Sequence, residues 1–171
     1  NGILLAPDGE KLSKRKKNYT DPNFLFENKG VDSVRMFLYT STAPLAEAVR
    51  FSEKHVDEIV RKLTLPLWNS YSFFVTYASI DKFHPQKIKN NFRPEHKLDQ
   101  WILSELHELI STVTAAMDDY NLNAATRPML DFVDNLSNWY IRRSRRRFWK
   151  SPRSRPTARG ETTAEARAFD R

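Results

Sequence analysis

The chain has no cysteine. This excludes disulfide bridges and thiolate metal ligands, and it fits a reducing compartment. It has no apolar run near the roughly 20 residues that a membrane-spanning helix requires, and Pro7, Asp8 and Gly9 interrupt any apolar leader at its start. Its four histidines, His55, His84, His96 and His107, share no metal-ligand spacing. Surface or helix-cap roles are expected for them, and no metal site is expected in this segment. There is no internal repeat, and no alternating strand pattern follows residue 30. The chain begins at Asn1 in the middle of a motif, so it is expected to be a piece of a longer protein.

What is present is positive charge, unevenly placed. The net charge is +7 and the isoelectric point about 9.7, a balance that favours an acidic partner such as nucleic acid. Eleven Lys and Arg against three Asp and Glu fall between Arg142 and Arg171. The remainder of the chain is nearly neutral, apart from a second basic cluster at Lys11–Lys17.

The apolar fraction of 40% suffices for one ordinary domain. Residues 1–28 read as a loop with a short apolar entry, Ile3-Leu4-Leu5. A short helix is expected from Asp32, as N-cap, to Tyr39. Ser52 is expected to cap a longer helix, with Phe51 and Val56 forming a hydrophobic staple around it. Val56, Ile59, Val60, Leu63, Leu67, Tyr71, Phe74, Val75 and Ala78 then recur near the 3.6-residue period. Pro66 lies inside that run and should kink it. The stretch 81–93 is polar and irregular. Pro94 and Glu95 suit the first turn of a third helix, striped by Leu98, Ile102, Leu106, Leu109, Ile110, Val113, Met117 and Tyr120. A last helix follows the break at Asn121-Leu122-Asn123 and runs to about Lys150, bent at Pro128. Residues 151–171 read as a basic linker or partial helix. The fold class is therefore mainly α, an antiparallel helical bundle preceded by a loop segment.

Lys11-Leu12-Ser13-Lys14-Arg15, after the turn Ala6-Pro7-Asp8-Gly9, is the most informative stretch. Two lysines flank a hydroxyl on a segment too cationic to be core. Such a loop suits a mobile polyanion such as a nucleotide triphosphate, because a lysine ammonium is a point charge on a long stem.

This loop resembles the Lys-Met-Ser-Lys-Ser signature of class I aminoacyl-tRNA synthetases, with Leu12 for the methionine and Arg15 for the last serine. Its context, Gly9-Glu10 before it and Lys17-Asn18-Tyr19 and Asp21-Pro22 after it, is similar to the isoleucyl-tRNA synthetase family. So is the run Asn135-Leu136-Ser137-Asn138-Trp139-Tyr140-Ile141-Arg142-Arg143-Ser144-Arg145-Arg146-Arg147-Phe148-Trp149-Lys150. The resemblance covers roughly residues 1–150. It implies that residues 1–28 end a catalytic domain, that 29–150 form the helical anticodon-binding domain, and that the partners are ATP with Mg2+ and isoleucine as substrates and tRNA, in the cytoplasm. It also implies that Lys11, Ser13 and Lys14 bind ATP, with Lys11 and Lys14 stabilising the charge that shifts to the departing phosphates. A hinge at residues 20–30 would couple loop and helices.

A helical wheel at about 100° per residue sharpens the second block. Continued from Met129, Phe132, Val133, Leu136 and Tyr140, the apolar sector passes into Arg143, Ser144 and Arg147. Arg143 and Arg147 are therefore expected to face carboxylates of neighbouring helices. Arg142, Arg145, Arg146 and Trp149 point away and are the expected tRNA contacts, the guanidinium groups on phosphates and the indole on an unpaired base. Trp139 is expected to pack, and Trp68 and Trp101 to lie in or near the core.

The family's second signature, His-x-Gly-His, does not occur in the sequence. The polypeptide alone is therefore expected to form no aminoacyl-adenylate. Purified chain should give no ATP–pyrophosphate exchange, and measurable exchange would contradict this.

Overall fold

The computed structural model describes residues 2–83 and 93–149. Lys150, residues 151–171 and His84 lie outside the described residues, so the expectations placed on them are not addressed. The order of elements is β1 (Leu4–Leu5), α1 (Pro22–Lys29), α2 (Val31–Thr40), β2 (Val49–Arg50), α3 (Glu53–Ile59), α4 (Leu65–Ile80), α5 (Lys97–Asp118), α6 (Leu122–Asp134) and α7 (Arg142–Trp149). Two stretches of π-helix, Val60–Thr64 and Asn135–Ile141, join α3 to α4 and α6 to α7. The fold is a mainly α helical bundle, as the periodicity predicts.

The first 30 residues depart from the expected loop. Asp21 accepts from the Asn23 amide at 2.8 Å and Pro22 occupies the first turn, so an eight-residue helix starts where a hinge is expected. Gly30 then separates α1 from α2 with φ 82, a left-handed angle suited to glycine. Asp32 is not the cap of α2. It sits in the first turn and pairs with Arg35 at 3.0 Å in solvent. A strand not expected from the sequence, β2, pairs in parallel with β1, matching Leu4 with Val49 and Leu5 with Arg50. Ser52 does hold the cap position of α3, but its side chain makes no cap bond. The Thr20 hydroxyl instead donates to the Glu53 carboxylate.

One core gathers these elements. Leu25, Val34, Phe37, Val49, Phe51, Val56 and Ile59 are buried together, with Leu4 and Leu130 packed against them. The Phe37 and Phe51 rings meet edge to face at 5.6 Å, a favoured aromatic geometry. Each such side chain contributes about 2 kcal/mol of burial. The α2–α6 seam is fixed by Asn123, whose amide donates to the carbonyls of Thr40 at 2.8 Å and Ser41 at 2.7 Å.

Pro66 falls in the first turn of α4, directly after the π segment Val60–Thr64. The i→i+5 bonding there accommodates the missing donor and the ring, so the expected kink is taken up by a local change of helix type. Pro128 stays inside α6. The third helix begins at Lys97 rather than at Pro94. His96 is its cap, with Nδ1 accepting from the Leu98 amide at 3.2 Å.

The C-terminal helix is fastened by an ion pair. Both guanidinium nitrogens of Arg147 donate to the two carboxylate oxygens of Asp99 on α5, each at 2.6 Å, with both side chains largely buried. Tyr140 also hydrogen-bonds Asp99. Burial pushes Asp99 towards the neutral form, but the bonds from Arg147 and Tyr140 outweigh it and hold the carboxyl below its ordinary value. Burial, reinforced by the Asp99 charge, raises Tyr140 to about 12. On the far side, Phe148 packs against Phe73 at 5.1 Å and Tyr77 at 6.2 Å.

Removing the arginine strands a buried carboxylate. Arg147→Met is expected to destabilise the chain by about 2–3 kcal/mol at neutral pH, read as a lower melting temperature. The signs of the pH dependence follow from the two shifts. The Asp99 contribution is present above the ordinary carboxylate range and is lost as pH falls through its depressed folded value. The Tyr140 contribution is complete below about pH 10 and is lost as pH rises towards 12. A melting series in which Tyr140→Phe leaves the alkaline loss unchanged would contradict that assignment.

Candidate functional site

The lysine loop grows out of β1 through a tight turn. The Ala6 amide donates to the Glu10 carbonyl at 2.8 Å and the Gly9 amide to the Ala6 carbonyl at 2.9 Å. Gly9 has φ 88, a conformation that a Cβ would strain. Asp8 closes the turn by accepting from the Glu10 amide at 2.9 Å. Lys11 then returns alongside Leu5 as an antiparallel bridge.

Asn18 fixes the signature itself. Its Oδ1 accepts from the Ser13 amide at 2.9 Å, and its Nδ2 donates to the Lys11 carbonyl at 3.2 Å. The Lys17 amide adds a bond to the Ser13 carbonyl at 3.0 Å, with Lys17 in the left-handed region at φ 50. The backbone of Lys11–Ser13 is thus held from inside the loop, while Lys11 and Lys14 project into solvent. Asn18 belongs to the block quoted from the sequence, but nothing in the sequence assigns it this role. A side chain that bonds its own loop at five and seven residues' distance leaves no periodic trace.

The cations of the loop divide into two sets. Lys16 pairs with Glu10 at 2.5 Å across the loop's base, and that hydrogen bond raises its pKa. Lys11, Lys14, Arg15 and Lys17 are exposed and form no ion pair among the described residues. Four exposed cations therefore cluster on a backbone that Asn18 ties at Lys11 and Ser13.

The second basic region is α7. Arg142, Arg145, Arg146 and Trp149 are exposed, on the side the helical wheel gives them, and Arg147 and Ser144 turn inward. Arg143 does not. It is exposed, its guanidinium lies 4.4 Å above the Trp139 ring, and no carboxylate pairs with it among the described residues. Trp139 is itself about half exposed rather than packed. The cause is the π segment Asn135–Ile141. An i→i+5 turn winds less per residue than an α-turn, so α7 is set back about its axis relative to a uniform α-helical wheel. That rotation carries Arg143 out of the apolar sector and brings Phe148 into it. Arg145 stands 5.9 Å from the Phe73 ring, a cation–π contact that leaves its charge accessible.

Trp68 also departs from expectation. It is 64% exposed on α4, a helix apolar on all sides whose Leu65, Leu67, Tyr71 and Phe74 are also exposed. Trp101 is half-buried. Among the described residues no group of three or more His, Cys, Asp or Glu could hold a metal ion, and no helix is long and apolar enough to cross a membrane.

Residues 1–52 match the family described as tRNA synthetases class I (I, L, M and V), and residues 99–166 match the anticodon-binding domain of tRNA ligase. The chain is 46% identical over 154 residues to an isoleucine–tRNA ligase of Protochlamydia amoebophila, covering 90% of this chain and 15% of that protein. It is 44% identical over 162 residues to the corresponding ligase of Treponema denticola, covering 88% of this chain and 15% of that protein. The Chlamydia trachomatis ligase is 44% identical over 149 residues, covering 87% of this chain and 14% of that protein. Among solved structures, an Agrobacterium radiobacter LeuRS in a ternary complex with tRNA and LeuAMS shares the fold at TM-score 0.58 and 20% identity, over 84% of this chain and 17% of that one. The chain thus spans about 15% of the length of the curated relatives it matches. With both family matches in the order of the lysine loop and the arginine helix, and with 44–46% identity along nearly its whole length, the chain is homologous to one segment of the isoleucine–tRNA ligases.

Proposed function

We propose that the protein carrying this chain activates isoleucine with ATP, accompanied by Mg2+, and transfers it to its tRNA in the cytoplasm. In this reading Lys11, Ser13 and Lys14 form the ATP side of the site. The amino-acid carboxylate attacks the α-phosphorus, and negative charge moves onto the departing β- and γ-phosphates. Cations that tighten on that charge lower the barrier. The observation that carries this reading is the loop itself. Asn18 fixes its backbone, and Glu10 occupies only Lys16. Lys11 and Lys14 are therefore exposed and ready to bind phosphate.

The helical region holds the tRNA. Arg142, Arg145 and Arg146 neutralise backbone phosphates and Trp149 stacks on an unpaired base. The exposure of these four side chains supports this, as does the capture of Arg147 by Asp99, which takes into an ion pair the one arginine of the row that turns inward. The proposed division at residue 28 is one of role. In packing, Leu25 before it and Phe37 after it share one core, so no gap in the core separates the two parts.

Two measurements test the two halves separately. In the full-length ligase, Lys14→Ala is expected to lower the rate of isoleucine-dependent ATP–pyrophosphate exchange by about a hundredfold, near 3 kcal/mol of transition-state stabilisation. An unchanged rate would remove Lys14 from the site. In the 171-residue chain, Arg145→Glu with Arg146→Glu is expected to weaken tRNA binding at least tenfold and to flatten its salt dependence, with helicity unchanged. Equal binding by the double variant would place the tRNA elsewhere.

A further inference from the structure

Arg50 stands beside the lysine loop although it lies some 40 residues away in sequence, and the family signature gives it no role. β1 is the central strand of a small three-stranded patch. Leu5 is paired on one side with Arg50 of β2 and on the other with Lys11. The Phe51 amide closes the first pairing by donating to the Leu5 carbonyl at 2.8 Å. Laterally paired residues share a face of a sheet, about 5 Å apart from strand to strand. Arg50 and Lys11 therefore flank Leu5 on one face. That face is the solvent side. Arg50 and Lys11 are exposed, whereas Val49, the next residue on β2, is buried in the core.

The guanidinium is directed towards the turn that launches the loop. A methyl group placed on Gly9 would lie 3.5 Å from its Nη2 and 3.6 Å from its Nε. The side chain therefore lies over the glycine turn, two residues ahead of Lys11. No carboxylate pairs with Arg50 among the described residues. An arginine held against a turn by strand register, and uncompensated, keeps its planar fork free for two phosphate oxygens at once.

We propose that Arg50 is a further phosphate-binding cation of the lysine-loop site, taking the polyphosphate of the nucleotide together with Lys11 and Lys14. This rests on the reading of the loop as the ATP site. It adds that the strand leading into α3 completes that site, so that the helical region contributes a ligand as well as a support. The lysines are point charges on mobile stems. Arg50 would instead fix the orientation of the phosphate chain.

Pyrophosphate titration of the 171-residue chain, followed by the amide resonances of Gly9–Lys14 at low salt, tests this. Wild type should bind, Lys14→Ala should abolish most of the shift, and Arg50→Ala should weaken binding about fivefold. Arg50→Lys should recover part of the loss, and its melting temperature should match wild type. If Arg50→Ala binds as wild type does while Lys14→Ala does not bind, the role of Arg50 is overturned and the loop reading stands. If wild type itself shows no shift with millimolar pyrophosphate, the loop reading falls with it. In the full-length ligase, Arg50→Ala should raise the KM for ATP. A change in the KM for tRNA alone would also overturn the proposal.

Discussion

The bidentate pair between Arg147 and Asp99 decides how the basic end of this molecule is presented. Five arginines crowd residues 142–147. A helix so charged would repel itself and need not dock at all. Asp99 takes one of them into a largely buried, doubly bonded contact, with Tyr140 completing the carboxylate's bonds. That contact, with Phe148 against Phe73, holds α7 at the rotation that the π segment Asn135–Ile141 gives it. Arg142, Arg145 and Arg146 are then turned to solvent as a consequence of the docking. A buried pair of this kind adds modest net stability, but its geometry is specific and fixes which arginines face solvent.

The same division between committed and free cations recurs at the other end of the chain. Glu10 holds Lys16 and Asp57 on α3 holds Lys29 at 2.6 Å. Lys11 and Lys14 are left uncommitted on a backbone that Asn18 secures. The two basic regions are joined through packing. β1 pairs with β2, α2 and α3 share the Phe37 core, and Asn123 ties α6 to the end of α2. The Thr20–Glu53 bond closes the exit of the loop onto α3. Loop and helices are thereby linked through hydrogen-bonded and buried contacts.

Much of this was legible in the residue order. Helical periodicity placed α4–α6, the lysine pair identified the loop, and the outward positions of Arg142, Arg145, Arg146 and Trp149 followed from a simple wheel. What was not legible has physical causes. The wheel misplaced Arg143 because it assumes one rotation per residue, and Asn135–Ile141 winds as a π-helix. No sequence signal distinguishes that segment from an α-helix. The strand β2 is two residues long and carries no alternation. Helix α1 was hidden behind a polar stretch, although Asp21-Pro22 was a readable cap. Trp68 departs from the expected core position because an apolar residue in an apolar helix does not reveal whether anything covers it. Arg50 and Asn18 act through contacts that only the folded chain brings together.

Asp99 withdraws Arg147 from a row of arginines and leaves Arg142, Arg145 and Arg146 facing solvent, where the proposed RNA contact would form. Side-chain Nε–H resonances of the arginines, recorded as tRNA is added and again as salt is raised, test it most directly. Resonances of Arg142, Arg145 and Arg146 should shift with tRNA and return with salt, while that of Arg147 stays in place throughout. A shift of Arg147 comparable to its neighbours, or no shift of any of the three, would contradict the account.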